Sequence, residues 1–281
     1  MKLTNKAAEI FIPSALDELS SLTQTTEMCI AAHYDDIEIM AYGAISNCFD
    51  KADRHFTGVV ATDGGGSPRS GAYALYSDDG MKEIRVTEQK KAAELGKYSA
   101  QIFLVYPSSE VKDPANRDVI SDIKEIILNC NPEILYTHNL ADKHDTHVAT
   151  AMHVIRALRE LPLESRPKKV LSMEVWRSLD WLCDEDKVVF DTSAYPQLAS
   201  ELLGVFDSQI AGGKRYDLAT IGRRLANATF FASHFVDDYE SASFGLDITD
   251  LVNSNAKPIE FINRYIDKFK NEVEKRLLAF S

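Results

Sequence analysis

The chain has 281 residues, of which 45% are hydrophobic and 26% are charged, and its formal net charge is -12 at pH 7. This composition is typical of a globular protein with enough apolar residues for one large core. The negative charge argues against a nucleic-acid-binding protein and against binding to anionic membranes, because both need clustered Lys and Arg.

Apolar runs in the sequence are too short for a membrane span, which needs roughly 20 residues. The N-terminal stretch also lacks the continuous apolar run of a signal peptide. The four cysteines are widely spaced and form no C-x-x-C pair, which predicts buried free thiols in a reducing compartment. We therefore expect a cytoplasmic protein.

The predicted elements begin with a helical extension over residues 1–26. Beyond it, apolar runs alternate with segments of helical period. Strands are predicted near Met28–Ala32, Phe56–Thr62, Gln101–Tyr106, Glu133–Thr137 and Lys169–Val175, and the helices between them over about Ile37–Cys48, Lys82–Leu95, Arg117–Asn129 and Thr146–Leu161. This alternation predicts an α/β, Rossmann-like fold with a mostly parallel sheet flanked by helices.

The pattern beyond Asp180 is less regular. A short strand is predicted over Val188–Phe190. Helices are predicted over Gln197–Ile210, Leu218–Ala228 and Pro258–Leu278. Since no linker or repeat is visible, residues 1–281 are predicted to form a single domain. Residues from about 180 to 281 are expected to complete its substrate side.

The first functional motif follows the strand near Met28–Ala32, where His33 is succeeded by the adjacent carboxylates of Asp35 and Asp36. Two neighbouring carboxylates repel each other unless a cation or hydrogen-bond donors compensate them. A divalent metal ion would compensate them. The alternative is that Asp35 or Asp36 only caps the helix that follows.

The second motif lies in Tyr136–His147, a segment that holds three of the seven histidines. His144 and His147 are one helical turn apart and can project toward the same opening. One of these two histidines, together with His33 and Asp36, would complete a His/Asp/His ligand set. Such a set leaves coordination positions open for water and substrate, as a catalytic metal site requires. One aspartate and one histidine remain for general-base catalysis and for stabilising a tetrahedral intermediate. Histidines that only cap or solvate a loop are the alternative.

Both motifs resemble those of the PIG-L/LmbE-like zinc-dependent N-acetylglucosaminyl deacetylases. His33-Tyr-Asp-Asp-Ile-Glu is similar to the family's H-P-D-D-[IE]-E, and His144-Asp-Thr-His is similar to its H-P-D-H. The resemblance implies an LmbE-like three-layer sandwich. It also implies a zinc ion, or another divalent transition metal, bound by His33, Asp36 and His147. In this family the general base corresponds to Asp35, and His144, in its protonated form, would stabilise the intermediate.

Further residues resemble family features on the substrate side. Asp63 stands in a Thr-Asp-Gly-Gly run after the second strand, and Arg85 and Glu88 match the family's R-x-x-E-x-x-x-A-x-x-L-G. The resemblance implies that Asp63, Arg85 and Trp176 contact substrate, with Glu88 orienting Arg85. A surface ion pair and, for Trp176, a core position are the alternatives. Tyr239–Gly245 is a weaker match on the same side.

The sequence departs from the family pattern in both motifs. Tyr34 replaces the first proline, and Asp145 and Thr146 replace the Pro-Asp of the second motif. The lost aspartate normally pairs with the histidine at position 144, so Asp145 or Asp142 would have to replace it.

The resemblance implies an N-deacetylase that acts on an N-acetylated amino sugar or a sugar conjugate. Acidic groups at the pocket rim would discourage strongly anionic nucleotide sugars. The alternatives are an amidase for a sugar-thiol or another amide conjugate, and a catalytically impaired sugar-binding protein. The expected partner is a small-molecule sugar or sugar conjugate, and a homo-oligomer is left open as an alternative to a monomer.

Overall fold

An eight-stranded mixed sheet forms the centre of the computed structural model, which describes residues 1–67 and 69–281. Its strands are β1 (Glu9–Phe11), β2 (Glu27–Ala31), β3 (Phe56–Thr62), β4 (Ala100–Tyr106), β5 (Ile134–His138), β6 (Lys169–Met173), β7 (Val188–Asp191) and β8 (Ala242–Asp247). The spatial order is β1-β4-β3-β2-β5-β6-β8-β7. Strands β2 to β6 are parallel, whereas β1 pairs with β4, and β8 pairs with β6 and β7, in antiparallel fashion. The predicted mostly parallel α/β sheet is confirmed.

Helices cover both faces of this sheet. They are α1 (Glu18–Thr23), α2 (Asp36–Met40), α3 (Tyr42–Cys48), α4 (Asp78–Leu95), α5 (Ser108–Val111), α6 (Arg117–Cys130), α7 (Asp145–Glu160), α8 (Pro196–Gly204), α9 (Asp207–Ile210), α10 (Tyr216–Phe230), α11 (Thr249–Asn253) and α12 (Pro258–Ala279). None of the helices in the described residues combines the length and the apolar character that crossing a bilayer requires. All four cysteines are free and buried, as predicted.

The alternation of side chains along β2 builds two cores. Met28 and Ile30 point to one face and belong to a cluster that includes the buried isoleucines of α6, whereas Cys29 and Ala31 join a cluster with α2, α3 and α8 on the other face. The apolar face of α6 explains its position, because Ile123 and Ile126 are completely buried. Each such isoleucine contributes roughly 1.5–3 kcal/mol relative to an exposed position.

Several predicted boundaries were wrong. Residues 1–26 are not a purely helical extension, because β1 adds an antiparallel edge strand before the short helix α1. The helix predicted from Ile37 breaks at Ala41, whose backbone leaves the helical region at φ -112° and ψ 19°. The helix predicted over Gln197–Ile210 is divided into α8 and α9. The sequence also gave no indication that residues 242–247 form β8.

The parallel strands position the motifs. His33 follows β2, Asp63 follows β3, and His138 is the last residue of β5, so all three lie at the carboxyl edge of the sheet. Open α/β sheets bind ligands at this edge. The topology therefore joins residues that are more than a hundred positions apart in the sequence.

Candidate metal centre and active-site cavity

Three side chains from two segments, the loop after β2 and the start of α7, converge at the carboxyl edge of the sheet. Nδ1 of His33 lies 3.2 Å from Oδ2 of Asp36 and 3.0 Å from Nε2 of His147. Nε2 of His147 in turn lies 3.2 Å from Oδ2 of Asp36. Ligand atoms about 2.0–2.2 Å from a tetrahedral zinc ion are roughly 3.3–3.6 Å apart. The three residues therefore fit such an ion after small outward shifts.

The electrostatics of this cluster favour a positive charge between the side chains. Burial alone would raise the pKa of Asp36, but the facing His147 and His138 hold it well below its usual range. Burial alone would lower the pKa of His147, but the carboxylates of Asp36 and Asp142 outweigh burial and raise it to about 9. A divalent metal ion would take the place of the proton on His147, because it binds an ionised carboxylate and neutral imidazoles.

Helix capping does not explain the paired aspartates. Asp35 occupies the N-cap position of α2, yet its side chain makes no capping hydrogen bond. Oδ2 of Asp36 accepts a hydrogen bond from the backbone N–H of His33 at 2.8 Å, which folds the loop so that His33 and Asp36 face each other. The sequence-based alternative of a simple cap is therefore wrong.

His138 borders the same cluster, although the sequence assigned it no role. It is completely buried, its ring stacks on His147 at a centroid distance of 3.9 Å, and its Nε2 lies 3.4 Å from Oδ2 of Asp36. However, Nε2 already accepts a hydrogen bond from the backbone N–H of Ala32 at 2.8 Å. Because this lone pair is occupied, His138 is better placed to support His147 than to bind a metal.

Asp142 is the carboxylate that orients a metal-ligand candidate. Its Oδ2 lies 3.4 Å from Nδ1 of His147 and accepts the backbone N–H of Trp176 at 3.1 Å, while Oδ1 accepts the backbone N–H of His144 at 3.1 Å. The sequence offered Asp142 or Asp145 as the partner of the His144 imidazole. Instead, Asp142 pairs with His147 and Asp145 is exposed. In the described part of the chain, Nδ1 of His144 is buried without a partner.

We predict that Asp142→Asn lowers the zinc affinity by about 10- to 100-fold, because carboxylates hydrogen-bonded to ligating histidines fix the orientation of the ring. Both carboxylate oxygens of Asp142 face N–H donors. The asparagine side chain has only one acceptor oxygen, so its NH₂ group would face one of these donors. Zinc competition with a chromophoric chelator measures the change. Asp145→Asn, which changes an exposed charge nearby, is the control. Equal zinc affinities of the two variants would contradict this orienting role.

Asp35 lies beside the metal-ligand candidates without joining them. Its backbone adopts a left-handed conformation at φ 93°, which aspartate tolerates better than most residues. The carboxylate is buried and lies 4.0 Å from Nη2 of Arg85. Burial raises its pKa well above the usual range, although Arg85 opposes the shift. A carboxylate with a raised pKa lining a cavity is suited to accept a proton from water.

Arg85 is buried rather than part of a surface ion pair. Nη2 donates to the backbone carbonyl of Tyr34 at 2.6 Å, and Nη1 donates to Oγ of Ser208 at 3.4 Å. Glu88 accepts the N–H and the hydroxyl of Ser208 at 2.7 and 2.6 Å. Glu88 therefore positions Arg85 through Ser208, and the predicted surface alternative is wrong.

Tyr34, which replaces the family proline, packs behind this arginine. Its side chain is completely buried, its ring stacks on Phe103, and the guanidinium carbon of Arg85 lies 5.7 Å from the ring centroid. Gly64 lies beside the tyrosine ring in a left-handed conformation at φ 76°, so close that an added Cβ would meet Cε2 of Tyr34. The substitution thus affects the support of Arg85 rather than the wall of the cavity.

We predict that Gly64→Ala lowers the free energy of unfolding by about 2 kcal/mol or more, because a left-handed conformation and overpacking are both unfavourable for alanine. Its Cβ would lie 2.9 Å from Cε2 of Tyr34 and 3.3 Å from Cβ of Arg85. Gly66→Ala is the matched control, since among residues 1–67 and 69–281, its two chain neighbours aside, no heavy atom lies within 4 Å of its added Cβ. Urea unfolding of both variants tests the difference, and equal destabilisation would contradict this packing.

His144 lies across the metal-ligand candidates from Asp35. Its ring stacks on His147 at 4.6 Å and meets His33 edge-on at 4.8 Å between centroids. Burial, together with the neighbouring His33 and His147, lowers the pKa of His144 to about 4. The imidazole is thus neutral near pH 7, in contrast to the protonated form expected from the sequence. Because Nδ1 is buried, the tautomer with its proton on Nε2 is favoured.

Of the residues described above, His33, Asp35, Asp36, Arg85 and His144 line a cavity of about 400 Å³, a volume suited to a small molecule. Asp63 and Trp176 line it, as the sequence implied, and Asp63 forms an ion pair with Lys82 at 3.1 Å. Tyr239–Gly245 instead contributes to β8, where Phe244 is buried against Phe231. One wall was not predicted: it consists of residues in and before α10, including Lys214, Tyr216 and Arg223.

Residues 28–158 of the chain match the family described as PIG-L: GlcNAc-PI de-N-acetylase. No curated protein sequence matches the chain. Among solved structures, N,N'-diacetylchitobiose deacetylase from Pyrococcus horikoshii has a TM-score of 0.64 at 16% identity, covering 85% of this chain and 90% of that protein. The zinc-inhibited form of teicoplanin deacetylase Orf2 has a TM-score of 0.56 at 14% identity, covering 80% and 100%.

A protein with a different reaction has a similar fold. GalB, the 4-carboxy-2-hydroxymuconate hydratase from Pseudomonas putida KT2440, has a TM-score of 0.62 at 16% identity, covering 83% of this chain and 100% of that protein. At such identities the similarity concerns the fold alone. The reaction must therefore be argued from the side chains of the site.

Proposed function

We propose, on the premise that residues 28–158 form a PIG-L family domain, that this protein is a metal-dependent amide hydrolase. It would remove the acetyl group from an N-acetylated amino sugar or sugar conjugate. The observation that carries the proposal is the convergence of His33, Asp36 and His147. Beside them lies the buried Asp35, which lines the cavity and is not one of the candidate metal ligands. The named deacetylases of similar fold support the same reaction class.

His33, Asp36 and His147 would hold the metal ion, with zinc as the first candidate. When bound, such an ion supplies a Lewis acid that polarises the amide carbonyl and lowers the pKa of water. Asp142 and His138 keep the ring of His147 in position from behind. Proton transfer and stabilisation of the oxyanion would be carried out by side chains that line the cavity.

Asp35 accepts the proton of the attacking water in this mechanism. The resulting carboxylic acid then returns this proton to the nitrogen of the leaving amine as the C–N bond breaks, and the acetic acid so formed loses its remaining proton to solvent, so that amine and acetate are the products. Burial raises the pKa of Asp35, which makes its carboxylate a stronger base toward the attacking water. His144 acts from the other side, where its Nε2–H donates a hydrogen bond to the developing oxyanion.

Arg85 and Trp176 would bind the sugar. The planar guanidinium of Arg85 is held by Tyr34 and Ser208 and can donate to hydroxyl groups at the cavity surface. The indole of Trp176 lies 6.1 Å from the ring of His144, between centroids, and can stack on a pyranose face. A cytoplasmic location and a homo-oligomeric state remain predictions from the sequence.

A screen of N-acetylated amino sugars for acetate release, with and without added zinc, tests the proposal. We expect release from at least one sugar amide, and we expect chelation to abolish it. Bound metal without release from any sugar amide would favour another amide, such as a sugar-thiol conjugate. Failure to bind a transition metal after zinc reconstitution would instead favour a sugar-binding protein on the same scaffold.

A further inference from the structure

We infer that the substrate carries an anionic group, a carboxylate or a phosphate, and that Lys214 and Arg223 bind this group at the α10 wall of the cavity. The inference rests on the proposed function, because it names the class of amide that the site would hydrolyse. It depends on three observations: the face that α10 presents, the free cations on it and the charge balance of the cavity.

The cavity wall formed by α10 is one continuous helical face. Tyr216, Ala219, Thr220 and Arg223 all line the cavity, and their i, i+3, i+4, i+7 spacing puts them on the same side of the helix. Lys214 precedes this face and also lines the cavity. The N-terminal end of the helix therefore borders the ligand space, where its partial positive charge favours anions.

Within residues 1–67 and 69–281, neither Lys214 nor Arg223 forms an ion pair within 4.0 Å, although the buried Glu174 lies close enough for Arg223 to lower the pKa of its carboxyl. Nζ of Lys214 lies 5.3 Å from the ring centroid of Trp176. Arg223 uses Nη1 to donate to the backbone carbonyl of Val175, which anchors its guanidinium beside the cavity. By contrast, Arg215 pairs with Asp217 at 2.8 Å and does not line the cavity. The two cavity cations thus retain donors for a ligand.

The charge balance of the cavity also favours an anion. Its lining includes the acids Asp35, Asp36 and Asp63 and the cations Arg85, Lys214 and Arg223. Lys82 neutralises Asp63 at 3.1 Å, and a divalent metal ion would compensate Asp35 and Asp36.

Lys214 is then left without a compensating carboxylate and Arg223 has only the buried Glu174 nearby, in a chain whose formal net charge is -12. Local positive charge in a cleft concentrates anionic ligands. Guanidinium and ammonium groups bind carboxylates and phosphates directly. The expectation that acidic groups at the rim discourage anionic substrates is therefore reversed at this wall.

Calorimetric binding to the zinc-loaded Asp35→Asn variant tests the inference without turnover, because this variant should keep the metal ion that compensates the acids of the cavity. The probes are N-acetylglucosamine, N-acetylglucosamine 1-phosphate and N-acetylmuramic acid, which carry no anionic group, a phosphate and a carboxylate, respectively. We expect at least one anionic probe to bind about tenfold or more tightly than the neutral sugar, because charged hydrogen bonds have this magnitude. The tighter anionic probe identifies the group.

Lys214→Gln and Arg223→Gln should each reduce this preference by about tenfold. Arg215→Gln, with the same change in net charge one residue from Lys214, should leave it unchanged. Equal binding of the neutral and both anionic probes would overturn the inference. So would an equal loss in Arg215→Gln, since that would reflect net charge rather than direct contact.

Acetate release by the zinc-loaded protein separates the two proposals. If an anionic probe binds through Lys214 and Arg223 but releases no acetate, while no other amide is hydrolysed, the proposed function fails and the anion site stands. If neutral and anionic sugars are deacetylated with equal kcat/KM by the wild type and the double variant, the function stands and the anion site fails.

Discussion

Asp35→Asn should lower the rate of acetate release by about 10²- to 10⁴-fold, the range typical for loss of a general base, while the variant still binds metal. An amide cannot accept the proton of water, yet asparagine keeps the size of aspartate and tolerates its left-handed backbone. Asp35 lies outside the cluster of His33, Asp36 and His147, so the metal ligands remain. Acetate release and bound zinc should be measured on the same sample.

Asp35→Ala is expected to behave in the same way, with a further loss of stability. Alanine in the left-handed region costs about 1–2 kcal/mol, and the φ of this residue is 93°. Comparison of the two substitutions separates loss of the carboxylate from backbone strain. If Asp35→Asn kept full activity, Asp35 could not be the base. If it lost its zinc, Asp35 would have to be counted among the ligands.

Asp36→Ala or His147→Ala should abolish both stoichiometric zinc binding and acetate release. Each substitution removes one of the three converging donor atoms, and two protein ligands rarely hold a catalytic zinc ion. Asp36→Ala should have an additional effect, since Oδ2 of Asp36 also accepts the backbone N–H of His33 at 2.8 Å.

Elemental analysis of purified, zinc-reconstituted variants provides the measurement for these substitutions. Asp145→Ala is the control, because Asp145 is exposed at the start of α7 only two residues from His147. It should retain one zinc ion per chain. A fully zinc-loaded His147→Ala variant would show that His138 or His144 can replace this ligand, and the assigned set would be wrong.

The sequence predicted the centre of the fold well because its parallel strands are short, apolar and separated by strongly periodic helices. All five residues of β2 are buried, which accounts for the continuous apolar run that begins at Met28. Edge elements were harder to predict. β1 has three residues, and β8 contains serine and glycine, so neither carries a distinct periodic signal. Their pairing depends on neighbours that are distant in the sequence.

The site was predictable where chemistry is concentrated in short motifs. His33 and Asp36 stand out because ionisable residues follow an apolar run, and His147 stands out because three of the seven histidines lie in Tyr136–His147. The role of Asp142 was not predictable, since only the three-dimensional path of the loop decides whether it faces His144 or His147. Lys214 and Arg223 were missed for a similar reason: a helix reveals the residues of one face, but its sequence does not say which cavity this face borders.

The replacement of the motif proline by Tyr34 can now be described in physical terms. Its ring fills the space between Phe103 and the Arg85 guanidinium, and its backbone carbonyl accepts a hydrogen bond from the same arginine. A proline at this position would keep the carbonyl but lose the aromatic contacts. The replacement thus changes the contacts that hold Arg85, a candidate sugar-binding residue, in position.

Zinc titration of the metal-free protein, with acetate release followed at each addition, tests metal-dependent hydrolysis most directly. The substrate should be the amide that is most active in the sugar screen. We predict that activity rises linearly and reaches a plateau at one zinc ion per chain, and that Asp36→Ala gives no activity over the same range. Full activity before any zinc is added, or undiminished activity in Asp36→Ala, would contradict the proposed mechanism.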